Sequence, residues 1–217
     1  CYSVLMELAP DATLLSYQIR ETIINSNKRF SYEEAQSVLD SKTKHELVDV
    51  LRNMSIVYKA LVKKRKNRGS IDFDSLELEV VLDDAGLPIE LKRRQRGDTN
   101  RMIEEFMLLT NETVAKHIGE HLAEEEQVPF VYRVHEKPDI TSIQELVSIA
   151  NAFGVSTTMP KRTTPFFMQK LSQKIKNHPA SPILESSILR AMMKAKYTTE
   201  NIGHFGLAYK FYSHFTW

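Results

Sequence analysis

The stretch from Lys44 to Lys66 sets the terms for the rest of the chain. Leu47, Val50, Leu51, Met54, Val57, Tyr58 and Leu61 recur in it at helical spacing, which predicts one long amphipathic helix. Such a helix, roughly 30 Å long at about 1.5 Å per residue, is stable in water only when its apolar stripe is covered. Basic residues gather at its C-terminal end, where the helix dipole favours cations, and Gly69 supplies the stop. The other elements must therefore furnish a layer for this helix to lie on.

Tyr2–Leu8 and Thr13–Arg20 read as strands joined by a Pro10-Asp11 turn, the pattern of a hairpin. Ser31 with Glu34 three residues later is a capping box, so a helix should begin there. Leu76 to Lys92 reads as a second hairpin turning at Asp83-Asp84-Ala85-Gly86. Asp98 is expected to cap a long helix to about Leu122, with Ile103, Phe106, Met107, Val114 and Ile118 as its apolar stripe. A strand over Pro129–Val134 follows. The rest reads as helical, broken at Gly154, Pro160 and Pro179 to Pro182, with a last helix over about Ile183–Lys196. No internal repeat or long linker divides the chain. The fold class expected is mixed α/β (α+β): β-hairpins packed with long amphipathic helices, in one unit over residues 1–217.

Composition removes several function classes. With 217 residues, 42% hydrophobic and 26% charged, the chain is neither disordered, collagen-like nor a coiled coil. No run approaches about 18 apolar residues, and the opening Cys1-Tyr2-Ser3-Val4 lacks the basic start of a signal peptide, so no membrane association is expected. Cys1 is the single cysteine, which forbids an internal disulfide and favours a cytoplasmic setting. The 29 basic and 28 acidic residues nearly cancel, but Lys63-Lys64-Arg65-Lys66-Asn67-Arg68 and Lys92-Arg93-Arg94-Gln95-Arg96 are dense basic runs. Surface charges act over about 8–10 Å, so each run can receive phosphates on a nearly neutral protein, or simply solvate an exposed face.

Two local patterns invite metal chemistry. His117-Ile118-Gly119-Glu120-His121 on a helix would set two imidazoles one turn apart, as a zinc metallopeptidase requires. Gly119 and the following Glu124-Glu125-Glu126 instead suggest a frayed, wet helix end on the surface. Asp83-Asp84 is a carboxylate pair, but Asp-Asp before Gly is also what a tight turn wants. Neither a Gly-x-Ser-x-Gly nor a P-loop sequence occurs.

Five segments in order carry a resemblance. They are Phe30-Ser31-Tyr32-Glu33-Glu34-Ala35, Gly69-Ser70-Ile71-Asp72-Phe73-Asp74, Met102 through Glu112, Tyr132-Arg133-Val134-His135-Glu136-Lys137-Pro138, and Gly203 through Ala208 with Tyr212-Ser213-His214-Phe215-Thr216. Together they resemble the catalytic (RNB) domain of the ribonuclease II and ribonuclease R family of 3′-to-5′ exoribonucleases. The wording of the last two segments is nearest the ribonuclease R branch.

The resemblance implies an enzyme that processively hydrolyses single-stranded RNA to nucleoside monophosphates with Mg2+. It also implies that the chain is an interior piece. The family's magnesium-binding aspartate cluster lies upstream of the position of Cys1, and its Ser-Pro-Ile-Arg-Arg segment lies beyond that of Trp217. No catalytic or metal-binding residue is then expected within the chain. Residue by residue, Phe73 matches an aromatic that stacks on a base near the RNA 3′ end, Glu104 an acid that contacts the terminal ribose, and Tyr32 a tyrosine beside it. His204, Phe205 and Gly206 are expected to shape the channel floor, with His135 structural. A module of the same fold that binds RNA or protein without cutting is the alternative. Zinc held by His117, Glu120 and His121 is another.

Overall fold

The computed structural model describes residues 1–72, 77–94, 97–122 and 129–215, without the side chains of 77–79, 93, 94, 121 and 122. Strands β1 (Tyr2–Leu8) and β2 (Leu14–Glu21) form the first antiparallel hairpin. Helix α1 (Tyr32–Leu39) carries the expected capping box, with the Glu34 N–H donating to Ser31 Oγ at 3.1 Å and the Ser31 N–H to Glu34 Oε2 at 2.8 Å. The long helix α2 (Val48–Arg68) begins later than its apolar pattern suggested. Ahead of it, His45 Nδ1 accepts the Leu47 N–H at 3.0 Å, a local turn in place of a first helical turn. Gly69 closes α2 in the left-handed conformation, φ 94°. Val50, placed on the apolar stripe by its spacing, is exposed, while Leu51, Tyr58 and Leu61 are buried.

The second hairpin pairs β3 (Glu77–Leu82) with β4 (Pro88–Arg94). Its turn is held by Asp83, whose Oδ1 accepts the N–H groups of Ala85 and Leu87 at 2.9 and 2.8 Å. That is the turn reading of Asp83-Asp84. Helix α3 (Asp98–His117) is capped by Gly97 rather than Asp98. Asn100 Oδ1 accepts the Gly97 N–H, and Gln36 Oε1, reaching from α1, accepts the Thr99 N–H at 3.3 Å. A helix end can take its cap from another element, and no local sequence signal reveals that.

Beyond His117 the coil widens into one π-helical turn, Ile118–Leu122. A Cβ at Gly119 would stand 2.6 Å from the Phe211 ring and 2.8 Å from Tyr132 Oη. The helix end is therefore packed at Gly119, not loose as expected, and the glycine is what permits the close approach. Strand β5 is short, Tyr132–Val134. Helices α4 (Ile140–Ala152), α5 (Pro165–Ile175) and α6 (Ser181–Ala191) follow. The last helix stops at Ala191 instead of running to Lys196, because Lys196–Thr198 forms β6 and pairs antiparallel with β5.

The largest core lies among α4, α5 and α6, where Ile143, Met168, Ile175 and Ile188 have 0% exposure, and Ile71 and Phe205 close it. Burying each such side chain stabilises the fold by about 1.5–3 kcal/mol. Mixed helix and strand is the observed class, and the first hairpin packs on α2 and α3 through Met6, Leu8 and Ala12 against Leu61 and Leu109, whereas Val80, Leu82, Ile89 and Leu91 of the second are exposed. No described helix is long and apolar enough to cross a membrane.

Candidate nucleic-acid interface

Helix α3 presents two working faces. Residues Asn100, Ile103, Glu104, Met107, Leu108 and Asn111 recur at spacings of one, three and four and line one side of a cleft, as the 3.6-residue period requires. Met102, Glu105, Leu109 and Thr113 are buried on the other side, toward α2. The expected apolar stripe therefore splits. Phe106 packs against the cluster of Leu61 and Leu109, while Ile103 and Met107 line the cleft.

The cleft has a volume of about 350 Å³ and is completed by Tyr32 from α1, Arg133 from β5, and His204, Leu207, Tyr212 and His214 from the C-terminal segment. Tyr32 is tied to α3 through its backbone, whose carbonyl accepts the Thr99 hydroxyl at 3.0 Å. The structure thus brings Tyr32 and Glu104 to one cavity from distant parts of the sequence. Phe73 lies outside the described residues, although its neighbour Asp72 is placed, with Oδ2 at 3.7 Å from Arg65 Nη2.

Polar side chains of the floor contact one another. Asn111 Nδ2 and the Tyr212 hydroxyl lie 3.4 and 3.1 Å from His214 Nδ1. His204 Nδ1 accepts the Leu207 N–H at 3.2 Å. Burial, then the neighbouring His135 and Arg133, pull the His204 pKa down to about 3, so its ring is neutral at physiological pH. Burial raises Tyr212 and keeps its hydroxyl protonated. His135, expected to be structural, is buried: its Nδ1 accepts the Gly206 N–H at 2.9 Å, its Nε2 has no hydrogen-bond partner among the described residues, and burial lowers its pKa. His204 lines the cleft, whereas Phe205 is part of the main core.

The first basic run is divided: Arg65 is buried and Lys64 and Arg68 are half-buried, while Lys63 and Lys66 are exposed. Arg65 Nε donates to Glu105 Oε1 at 2.6 Å, and both are buried. Burial raises the Glu105 pKa even against the opposing pull of Arg65. Arg68 pairs with Glu112 at 3.4 Å and stacks over Tyr209 at 4.0 Å. Lys64 donates to the Ala12 carbonyl at 2.8 Å. Sequence reasoning offered this run as a phosphate patch or a solvated face, and for these three residues it is neither. In the second run, the Arg93 and Arg94 side chains and all of Gln95 and Arg96 lie outside the described residues.

His117 Nδ1 lies 3.0 Å from the Tyr17 hydroxyl, and Glu120 pairs with Lys116 at 3.7 Å. The π-helical turn breaks the α-helical spacing that a His-x-x-Glu-His site presumes, and the His121 side chain is outside the described residues. Among the described residues no three His, Cys, Asp or Glu side chains converge. Those residues do not build a site for magnesium either, so no chemical step is assigned to a metal here. Arg133 stands in a segment that carries the family resemblance, but nothing in the sequence marks it as a site residue, because only the pairing of β5 with β6 shows where it points.

A hairpin-and-helix fold with this cleft defines the class, and the chain belongs to the RNB domain family, whose signature covers residues 1–216. Ribonuclease R 1 of Lactococcus lactis is 36% identical over 99% of this chain, which spans 26% of that relative's length. The structure of Mycoplasma genitalium RNase R in complex with ribose-methylated single-stranded RNA superposes with a TM-score of 0.87 at 24% identity, covering 97% of this chain and 33% of that one. Yeast Ssd1, a pseudonuclease, shares the fold at a TM-score of 0.66 and 17% identity, over 99% of this chain and 26% of its own.

Proposed function

We propose that this chain forms the substrate-reading side of the catalytic domain of a 3′-to-5′ exoribonuclease, an enzyme that processively hydrolyses single-stranded RNA in the cytoplasm to nucleoside monophosphates. The observation that carries the reading is the convergence of Tyr32 and Glu104 on one cleft in a chain of the RNB family. A carboxylate such as Glu104 accepts a hydrogen bond from a ribose 2′-hydroxyl, a donor that DNA lacks, and so gives a direct route to RNA preference. Tyr32 offers its ring beside that contact, and Phe73 supplies base stacking worth about 1–3 kcal/mol per base. The neutral His204 and protonated Tyr212 add dipoles without adding charge.

Magnesium would supply activated water for the hydrolysis. Its ligands belong to parts of the enzyme other than the described residues of this chain, which fits the share of its relatives that the chain spans. The test uses the full-length protein carrying this sequence, with matched RNA and DNA oligonucleotides and magnesium. RNA should shorten from its 3′ end to monophosphates, DNA should resist, and Glu104→Ala should narrow that discrimination. Equal discrimination by both proteins removes Glu104 from the role. The isolated chain should cut nothing, and robust metal-dependent shortening by it would contradict the placement of the metal ligands elsewhere.

A second reading, an RNA-binding module that does not cut, has one observation in its favour: the fold is shared with a pseudonuclease. RNA binding without shortening by the full-length protein would select it.

A further inference from the structure

We propose that Arg133 is a phosphodiester contact of the cleft, receiving a backbone phosphate of the same RNA strand whose ribose lies against Glu104. The proposal rests on the RNA reading above and adds a residue to it. Strand alternation starts the argument: Tyr132 and Val134 are buried, so Arg133 between them leaves by the opposite face and lines the cleft. In the β5–β6 register Arg133 stands opposite Tyr197, and its guanidinium lies over that ring at 5.3 Å. The Tyr197 hydroxyl donates to the His214 carbonyl at 2.8 Å, and the Arg133 N–H donates to the Tyr212 carbonyl at 2.9 Å. The arginine is thus anchored by its backbone on one side and by an aromatic platform on the other.

Among the described residues it lacks a carboxylate partner. Arg65 and Arg68 are engaged by Glu105 and Glu112, but among the described residues none pairs with Arg133. An aromatic face holds a guanidinium without consuming its N–H fork, and that fork matches phosphate oxygens. The other charge of the cleft, Glu104, would repel a plain anion. A ligand that presents a hydroxyl to Glu104 and an anionic oxygen to Arg133 satisfies both, and a ribonucleotide strand repeats that alternation at every residue.

The experiment measures binding of a single-stranded RNA oligonucleotide by the full-length protein across a range of salt concentrations. Arg133→Gln should weaken binding roughly tenfold whatever the base sequence and make the slope of log K against log salt shallower by about 0.7, the share of one phosphate contact on a single strand. Arg133→Lys keeps the charge and should restore the slope. An unchanged slope in Arg133→Gln, with wild-type preference for RNA over DNA intact, overturns the proposal and leaves the cleft reading standing. Failure of the wild-type protein to bind single-stranded RNA overturns that reading itself. Should Arg133→Gln not fold, neutral methylphosphonate linkages placed one at a time near the RNA 3′ end carry the test. One linkage should cost the wild type about tenfold and Arg133→Lys less, whereas uniform small losses would sink the idea.

Discussion

Glutamate and arginine meet α3 in two places and fare differently. In the seam between α2 and α3, Glu105 and Arg65 are both buried and bonded at 2.6 Å, and Glu112 and Arg68 pair at 3.4 Å beneath Tyr209. In the cleft, Glu104 and Arg133 line one cavity, yet the arginine rests on a ring. Glu104 and Glu105 are sequence neighbours, so a rotation of about 100° around one helix separates them. The seam's charges are engaged with one another, and burial already works against Glu105 being charged. In the cleft, among the described residues, no ion pair engages Glu104 or Arg133. Charge identity therefore says little about role until partners are known.

The sharpest way to break this contrast is to remove half of the seam. Arg65→Ala strands a buried carboxylate and should cost about 3–5 kcal/mol in urea unfolding, whereas the double replacement Arg65→Met with Glu105→Leu should recover most of that loss. A cost below about 1 kcal/mol would mean that the seam is not structural.

Acid should act next, and with opposite signs in the two places. His204 sits at about 3 in the folded protein against an ordinary 6.5, so the unfolded chain binds a proton that the folded one refuses. Stability is complete above pH 6.5 and declines toward pH 3, by at most about 1.4 kcal/mol per pH unit. Glu105, raised above 4.5, binds its proton better when folded and loses stability as pH rises through the carboxylate range. His204→Gln should flatten the profile between pH 3 and 6.5, and an unaltered profile would show that His204 is not held neutral by burial.

Smaller effects are expected from the backbone that ends the seam. Gly69→Ala places a Cβ 2.9 Å from the Phe166 ring at a residue with φ 94°, and should cost about 1–2 kcal/mol in thermal or urea unfolding. Smallest of all, Glu104→Ala should change stability by no more than about 0.5 kcal/mol, although it narrows RNA-versus-DNA discrimination. A large stability loss there would move Glu104 from the cleft to the seam in kind.

Much of the scaffold was legible beforehand because its signals are local. The Ser31–Glu34 capping box, the Gly69 stop and the Asp83 turn each need only a few adjacent residues to form. Boundaries slipped wherever a distant partner decided them. Gln36 shares in capping α3 across space, β5 recruits Lys196–Thr198 out of the expected last helix, and Phe211 with Tyr132 packs on Gly119. Arg65 and Arg68 in the basic run before Gly69 are misread for the same reason, since a row of Lys and Arg is identical in one dimension whether solvent or carboxylates surround it. Tyr32 and Glu104 were reached through resemblance, and Arg133 by no sequence argument at all.

By itself, then, the sequence determined the helices, the hairpins and the family, because apolar periodicity, capping and turn chemistry act between near neighbours, and family motifs are written in order along the chain. The tertiary structure alone decided which charges are satisfied, which face of α3 opens on a cleft, and that Arg133 stands over Tyr197. Those outcomes depend on burial and on cross-strand register, and both come into being only when residues far apart in the chain are packed together.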